Sequence, residues 1–202
     1  MTVDVDASDD LLEGAGFEVV ARAPLVTRRL RTLPDRVAPD LRLLVCGLNP
    51  SLYAADRGVG FARPGNRFWP AMLAAGLVTV DRDPTHALHE HDIGMTDLVK
   101  RATVAASELR VDEFVAGVAR VERLCAWLRP RAVLLVGLAG WRAAVDRNAT
   151  VGWQTRTLGG APVYVMPSTS GRNASTQLAG FVTHLRAATG AAPESPRGDA
   201  GP

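Results

Sequence analysis

Leu41-Arg42-Leu43-Leu44-Val45-Cys46-Gly47-Leu48-Asn49-Pro50-Ser51 is the stretch from which the rest of the chain can be read. Leu43 to Cys46 form an unbroken apolar run, the pattern of a strand buried on both faces of a sheet. Gly47 frees the backbone, and Pro50, which has no N–H, forbids the strand to continue. Asn49 therefore sits as a neutral amide at the carboxyl end of a parallel strand, where open α/β sheets hold their ligands. A strand followed by a plain Asx turn would look the same locally, so the neighbouring segments must decide.

Downstream, residues 52–65 are rich in Gly, Arg and Pro, with Tyr53 and Phe61 embedded, and read as a long loop of the kind that is usually functional. Asn66 is placed to cap a helix over 67–75 with Phe68, Trp69, Met72 and Leu73 on one face. Residues 78–92 read as irregular, and 93–99 as a turn or short strand. Apolar residues at 111, 114, 115, 118, 121, 125 and 128 predict a helix over 111–128, ended by Pro130. A second buried strand follows at 132–136, closed by Gly137, then a helix at 139–145. A short edge strand is expected at 154–158 with a turn at Gly159-Gly160, and a last strand at 163–166. A Ser/Thr-rich loop over 167–173 leads into a final helix over 174–188. Upstream, Arg28, Arg29 and Arg31 precede Leu33-Pro34-Asp35 in a helix ending near the proline. This alternation predicts a three-layer α/β/α domain around a central, mostly parallel sheet. The loops after 41–47 and 163–166 then open on one edge, with Asn49 facing the Ser/Thr loop across a crevice.

With 202 residues and 47% hydrophobic content the chain can bury one sizeable core. The expected organisation is an acidic, poorly ordered arm over 1–25, a domain over 26–190 and a disordered tail over 191–202. The net charge of +2 hides an asymmetry: residues 1–25 carry six acids and one Arg, whereas 26–190 carry 21 basic and 13 acidic residues. A basic body is the electrostatic footprint of a nucleic-acid partner, and the arm is expected to screen it. Cys46 and Cys125 lie in apolar contexts and read as buried, reduced thiols. With no signal peptide and no membrane-length apolar run, a soluble cytoplasmic protein is expected, nucleoid-associated when on DNA. His89-Glu90-His91 is a poor metal site, there is no cysteine cluster, and neither a Walker loop nor a Gly-x-Ser-x-Gly elbow is present. No metal and no cofactor are expected.

Three segments carry a specific resemblance. Gly47-Leu48-Asn49-Pro50-Ser51, Pro64-Gly65-Asn66-Arg67-Phe68-Trp69 and Val165-Met166-Pro167-Ser168-Thr169-Ser170-Gly171-Arg172-Asn173-Ala174 resemble the mismatch-specific uracil/thymine-DNA glycosylases of the uracil-DNA glycosylase superfamily. Their order and spacing fit, Ile93 to Val99 is also similar, and the resemblance covers about residues 33–188. It implies that Asn49 holds the attacking water, with Leu48, Ser51, Phe61, Asp97 and Ser168 around the base. Phe61 takes the stacking position, and Ser170, Gly171, Arg172 and Asn173 face DNA, with Arg172 as the wedge that fills the gap left by a flipped nucleotide. Phe61 could equally be a core aromatic, and the hydroxyls of Ser168, Thr169 and Ser170 could cap a helix as well as meet a phosphate.

An amide orients water but takes no proton from it at neutral pH. Such a site relies on positioning and on a base that departs as an anion, which favours uracil or thymine over normal purines. Two positions depart from the family. Ser51 stands where Gly is common, bringing a hydroxyl near the base or water. Asp97 stands where Asn or Lys is common, and either caps a turn or widens the range toward deaminated purines. The expected function is a monofunctional glycosylase acting as a monomer on double-stranded DNA with a mismatched or damaged base, G/U above all, without a membrane role. No lysine lies in the site motifs, which argues against lyase chemistry. The alternatives are a non-catalytic mismatch- or damage-binding module and a hydrolase of free nucleosides.

Overall fold

The computed structural model describes residues 9–173 and 175–190. Where a loose arm is expected, helix α1 (Asp9–Gly14) is followed by an antiparallel hairpin of β1 (Phe17–Arg22) and β2 (Leu25–Arg29). The helix expected before Pro34 is therefore a strand; the arginines at 28 and 29 sit on it rather than on a helical face. Residues 1–8 lie outside the described residues, and described acids of this unit pair with arginines, two of which belong to the body beyond residue 25. Asp9 pairs with Arg22, Glu18 with Arg28, and Asp10 with Arg123 at 2.7 Å. The tail at 191–202 lies outside the described residues.

The decisive stretch forms β3 (Leu43–Gly47), every residue of it buried. Ser51 then caps α2 (Leu52–Arg57), its Oγ accepting the Ala54 N–H at 3.1 Å, and Gly58 closes the helix at φ 68°. The expected loop over 52–65 thus begins with a short helix, whose only sequence signals are a Ser and a Gly at its two ends. Next comes α3 (Phe68–Ala74), with Asn66 Oδ1 accepting the Phe68 N–H at 2.9 Å. The stretch read as irregular contains α4 (Pro84–His91), started by Asp83, whose carboxylate accepts the His86 N–H, and by Pro84 at the first position. β4 (Ile93–Asp97) is a fully buried strand.

Helix α5 (Val111–Leu128) has the predicted bounds, and β5 (Val133–Val136) and α6 (Leu138–Ala144) follow as expected. The short edge strand is β6 (Gly152–Trp153), upstream of the expected 154–158, because Trp153 packs edge-on against Tyr164 with ring centres 5.2 Å apart. Gly159-Gly160 do turn, at φ 55° and 88°, but close only a single bridge between Leu158 and Ala161. β7 (Val163–Met166) completes the sheet, and α7 (Leu178–Thr189) begins four residues later than predicted.

The sheet order is β4-β3-β5-β7-β6, parallel except for β6. Strand periodicity of two divides it into two cores. Leu44, Cys46, Val133, Leu135, Val163 and Val165 face Phe114, Val118, Val121, Cys125 and Leu128 of α5 together with Trp141. Leu43, Val45, Leu134, Val136, Tyr164 and Met166 face Phe68, Trp69 and Met72 of α3 together with Phe181 and Leu185 of α7. This is the expected three-layer α/β/α arrangement. From β3 the chain runs out to the edge strand β4 and returns to β5 on the other side of β3. A crevice therefore opens beyond the carboxyl ends of β3 and β5, as at any such reversal.

Helix α5 approaches this edge through Gly117, where a Cβ would overlap the Leu98 carbonyl oxygen. Leu98 cannot yield, because its N–H is bonded to Gly47 O at 2.8 Å and the next N–H to Leu48 O at 3.0 Å. Gly117→Ala gains roughly 1 kcal/mol of helix propensity but overpacks a fixed backbone, which costs up to about 3 kcal/mol. A net loss of about 2 kcal/mol in urea unfolding is expected. A more stable variant would show that α5 is not seated on Leu98.

Candidate active site

The crevice is a cleft of about 450 Å³. Its walls come from the segment after β3 (Leu48 to Ser51), from Phe61 to Pro64, from Asp97, from Thr103 to Ala106 and from the loop after β7 (Ser168 to Arg172).

Asn49 is held on one side only. Its Nδ2 donates to Thr103 Oγ1 at 2.8 Å and lies 3.0 Å from Arg101 O and 3.1 Å from Pro50 O. Backbone carbonyls can only accept, so the amide must turn its NH2 toward them. Oδ1 is left without a partner among the described residues, free to accept a hydrogen from water. The segment that supplies two of these acceptors is itself fixed: Thr103 N donates to Pro50 O at 3.1 Å, and Leu52 N to Thr103 O at 3.2 Å. Ser51 Oγ accepts the α2 cap bond with one lone pair and keeps its O–H and a second lone pair beside the cleft.

Asp97 ends β4 in register with Gly47 of β3. It is 8% exposed and makes no side-chain hydrogen bond among the described residues, yet lines the cleft. Burial pushes its carboxyl up to about 6, against the opposing pull of Lys100 and Arg120 and with a further push from Asp35. Gly47 makes room for this side chain: a Cβ there would overlap Asp97 Oδ1 and stand 3.3 Å from Phe61 Cζ. Phe61 lies over the same spot. It stacks on Phe68 with ring centres 4.1 Å apart and 24° between planes, and Phe68 in turn meets Trp69 edge-on. Its backbone is left-handed at φ 58°, an unfavourable region for an aromatic residue. Trp69 Nε1 holds the preceding carbonyl, Gly60 O, at 2.8 Å. The ring is thus both a core contact and a cleft wall, so its packing on Phe68 does not decide against a stacking role.

The loop after β7 is braced from behind. Arg67 N donates to Thr169 O at 3.0 Å, and its guanidinium reaches Thr176 O at 2.6 Å, Ser170 O at 3.4 Å and Asn173 O. Asn173 Nδ2 donates to Ser168 O at 2.7 Å and its Oδ1 accepts the Ser175 hydroxyl at 2.7 Å. Ser168 Oγ and Ser170 Oγ accept the N–H groups two residues on, at 3.4 and 3.3 Å. Arg172 is exposed at the cleft mouth and makes no side-chain contact among the described residues. Thr169 Oγ1 is buried and has no hydrogen-bond partner among the described residues.

A family model for the uracil DNA glycosylase superfamily matches residues 34–188. The chain belongs to this superfamily. DNA is thereby its substrate class and hydrolysis of an N-glycosidic bond its class of reaction. A solution NMR structure of a candidate uracil DNA glycosylase from Methanosarcina acetivorans has a similar fold, with TM-score 0.51 and 19% identity over 77% of this chain and 96% of that one.

For a uracil DNA glycosylase superfamily member, the grouping of side chains is informative. Leu48, Asn49, Ser51, Phe61, Asp97, Ser168, Ser170, Gly171 and Arg172 all line the one cleft, whereas Asn173 braces the loop behind it. Sequence assigns no role to Thr103 or Arg67, and the Thr169 hydroxyl, expected to cap a helix or meet a phosphate, is buried instead. Arg67 and Thr169 stand inside quoted motifs, where residue type gave no hint of their contacts. Thr103 lies 54 residues from Asn49, and no local pattern marks it.

Arg172 gives a separate prediction. The resemblance implies that Arg172 enters the base stack, and this role can be tested. Arg172→Ala should weaken binding to mismatched duplex and slow excision from it by about tenfold, while affecting a single-stranded substrate far less. Equal losses on both substrates, read by anisotropy and single-turnover kinetics, would reduce Arg172 to a phosphate contact.

Proposed function

We propose that this glycosylase excises uracil from mismatches with guanine, and other lactam bases that the cleft admits, by flipping the nucleotide and adding water to C1′ of the sugar. The observation that carries this reading is the one-sided anchoring of Asn49. Its Oδ1 is the free acceptor at the carboxyl end of β3, fixed by three acceptors on the opposite side. It orients water for an oxocarbenium-like sugar without removing its proton in advance, so the departing base must leave as an anion. Phe61 offers its ring to the flipped base, and stacking of this kind is worth about 1–3 kcal/mol.

Asp97 supplies edge recognition. Uracil, thymine, hypoxanthine and xanthine each present an N–H beside a C=O. A protonated carboxyl complements that pair, donating O–H to the base carbonyl and accepting the base N–H, whereas a carboxylate meets the carbonyl with like charge. On this reading Asp97 meets uracil and the deaminated purines through the same edge, so the wider range expected from sequence does not come at uracil's expense. Lyase chemistry has no place here: Lys100, the only lysine of the chain, is 2% exposed, bonded to Asp35 and outside the cleft wall.

The test is an alkaline strand-cleavage assay on duplexes carrying uracil, thymine, hypoxanthine or xanthine opposite each base. Release of uracil from G·U pairs above A·U pairs is expected. Tight binding without base release would support the mismatch-binding alternative instead.

A further inference from the structure

Behind Asp97, on the side away from the cleft, lies a buried charge cluster that the reaction does not use directly. Asp35 Oδ1 accepts from Lys100 Nζ at 2.6 Å and from Thr96 Oγ1 at 2.7 Å, and Asp35 Oδ2 accepts from Arg120 NH1 at 2.9 Å. Arg120 NH2 donates to Thr96 Oγ1 and to Asp97 O, both at 2.8 Å. Lys100 Nζ also donates to Leu33 O, and Thr32 Oγ1 to Lys100 O. The side chains of Asp35, Lys100 and Arg120 are 6%, 1% and 3% exposed.

Two cations thus share one carboxylate. The cluster is roofed by the N-terminal unit, which lies outside the matched region 34–188. Asp35 N donates to Gly14 O at 2.7 Å, and a Cβ on Gly14 would stand 2.7 Å from Asp35 Oδ2. Gly14 is therefore pressed against the buried carboxylate and excludes water from it. Asp10 and Glu13 face Arg120 from α1, Cys46 faces Asp97 from β3, and Arg36 shares a cavity of about 20 Å³ with Asp97 beneath Phe61.

We infer that Lys100, pinned with Arg120 on Asp35, is a positioning residue that holds an excess of buried positive charge behind Asp97 and so sets the pH at which base recognition switches off. The inference rests on the glycosylase reading given above. Without such charge, a buried carboxyl gives up its proton only at still higher pH. With it, the carboxyl can ionise near neutrality, and the edge match with a lactam base is lost as it does so. Buried charges are little screened by salt, so the setting belongs to the fold rather than to the medium.

The experiment follows single-turnover release of uracil from a G·U duplex between about pH 5 and pH 9, using the full-length protein. Activity of the wild type should fall along a limb as Asp97 ionises. Lys100→Met should move that limb upward by about one pH unit, whereas Lys100→Arg, which keeps the charge, should leave it in place. Asp97→Asn and the double variant Asp97→Asn/Lys100→Met should share one profile without the limb. A uniform loss in Lys100→Met at every pH, or the same movement in Lys100→Arg, would overturn the inference and leave Lys100 a stability residue. Should Lys100→Met fail to fold, Lys100→Gln, which removes the charge but keeps a donor, is compared with wild type by a carbon-13 NMR titration of the Asp97 carboxyl. An upward movement of the titration supports the device, and an unmoved titration overturns it. If no duplex releases any base, the glycosylase reading falls, and the same titration still judges the charge cluster.

Discussion

Asn49→Ala should slow single-turnover release of uracil by about two orders of magnitude or more, while the fold and most of the affinity for DNA remain. The reason lies in the division of labour within the amide. Its NH2 is spent on Thr103, Arg101 O and Pro50 O, so only Oδ1 is available to the water. Alanine removes that acceptor and leaves Thr103 Oγ1 without its partner, but no strand or helix loses a backbone bond. Asn49→Asp is no substitute, because a carboxylate would face two backbone carbonyl oxygens with like polarity. Base release by Asn49→Ala within a factor of about ten of wild type would sink the water-positioning role. A comparable loss of DNA binding would show instead that the site had collapsed.

Asp97→Asn is expected to act in the opposite sense at alkaline pH. The native carboxyl is raised to about 6 from an ordinary value of 3.8. Between those values the folded protein holds a proton that the unfolded chain has released, so stability falls as pH rises through this window and stays lower above it. The shift corresponds to about 3 kcal/mol, an upper figure because relaxation and water entry reduce it. An amide pays no ionisation cost and presents the same donor and acceptor at every pH. Asp97→Asn should therefore unfold at higher urea than wild type at pH 8, with the difference shrinking toward pH 4. Uracil release should rise by up to about a hundredfold at pH 8 and by little at pH 5.5, since the acid form is then abundant in wild type. Loss of uracil release by the same factor at both pH values would mean that the carboxylate itself assists the water.

Much of this architecture is legible in the chain because buried strands and long amphipathic helices announce themselves. The run Leu43 to Cys46 and the stripe from Val111 to Leu128 mark β3 and α5 closely, since hydrophobic periodicity is set by the two cores they join. Short elements escape. α2 and α4 are only six and eight residues long, and their caps at Ser51 and Asp83 are the sole local signal. The hairpin of β1 and β2 is mostly exposed, so Val20 and Val26 alternate with nothing that a core would select. At the cleft, the quoted motifs and the similar segment 93–99 supply Asn49, Asp97 and Arg172 to the lining, with Phe61 beside them. They were silent on Thr103 and on the Asp35–Lys100–Arg120 cluster, because hydrogen bonds across 54 to 85 residues leave no spacing to read.

The bracing of the β7 loop by Arg67 separates inheritance from innovation. Arg67 is tied to the carbonyls of Ser170, Asn173 and Thr176, and replacing it would release the whole loop. Arg172, at the tip, makes no side-chain hydrogen bond or ion pair among the described residues, so many residues could stand there without disturbing the fold. A lineage built on this scaffold can therefore change the residue at this tip one codon at a time while the socket that holds the loop stays the same.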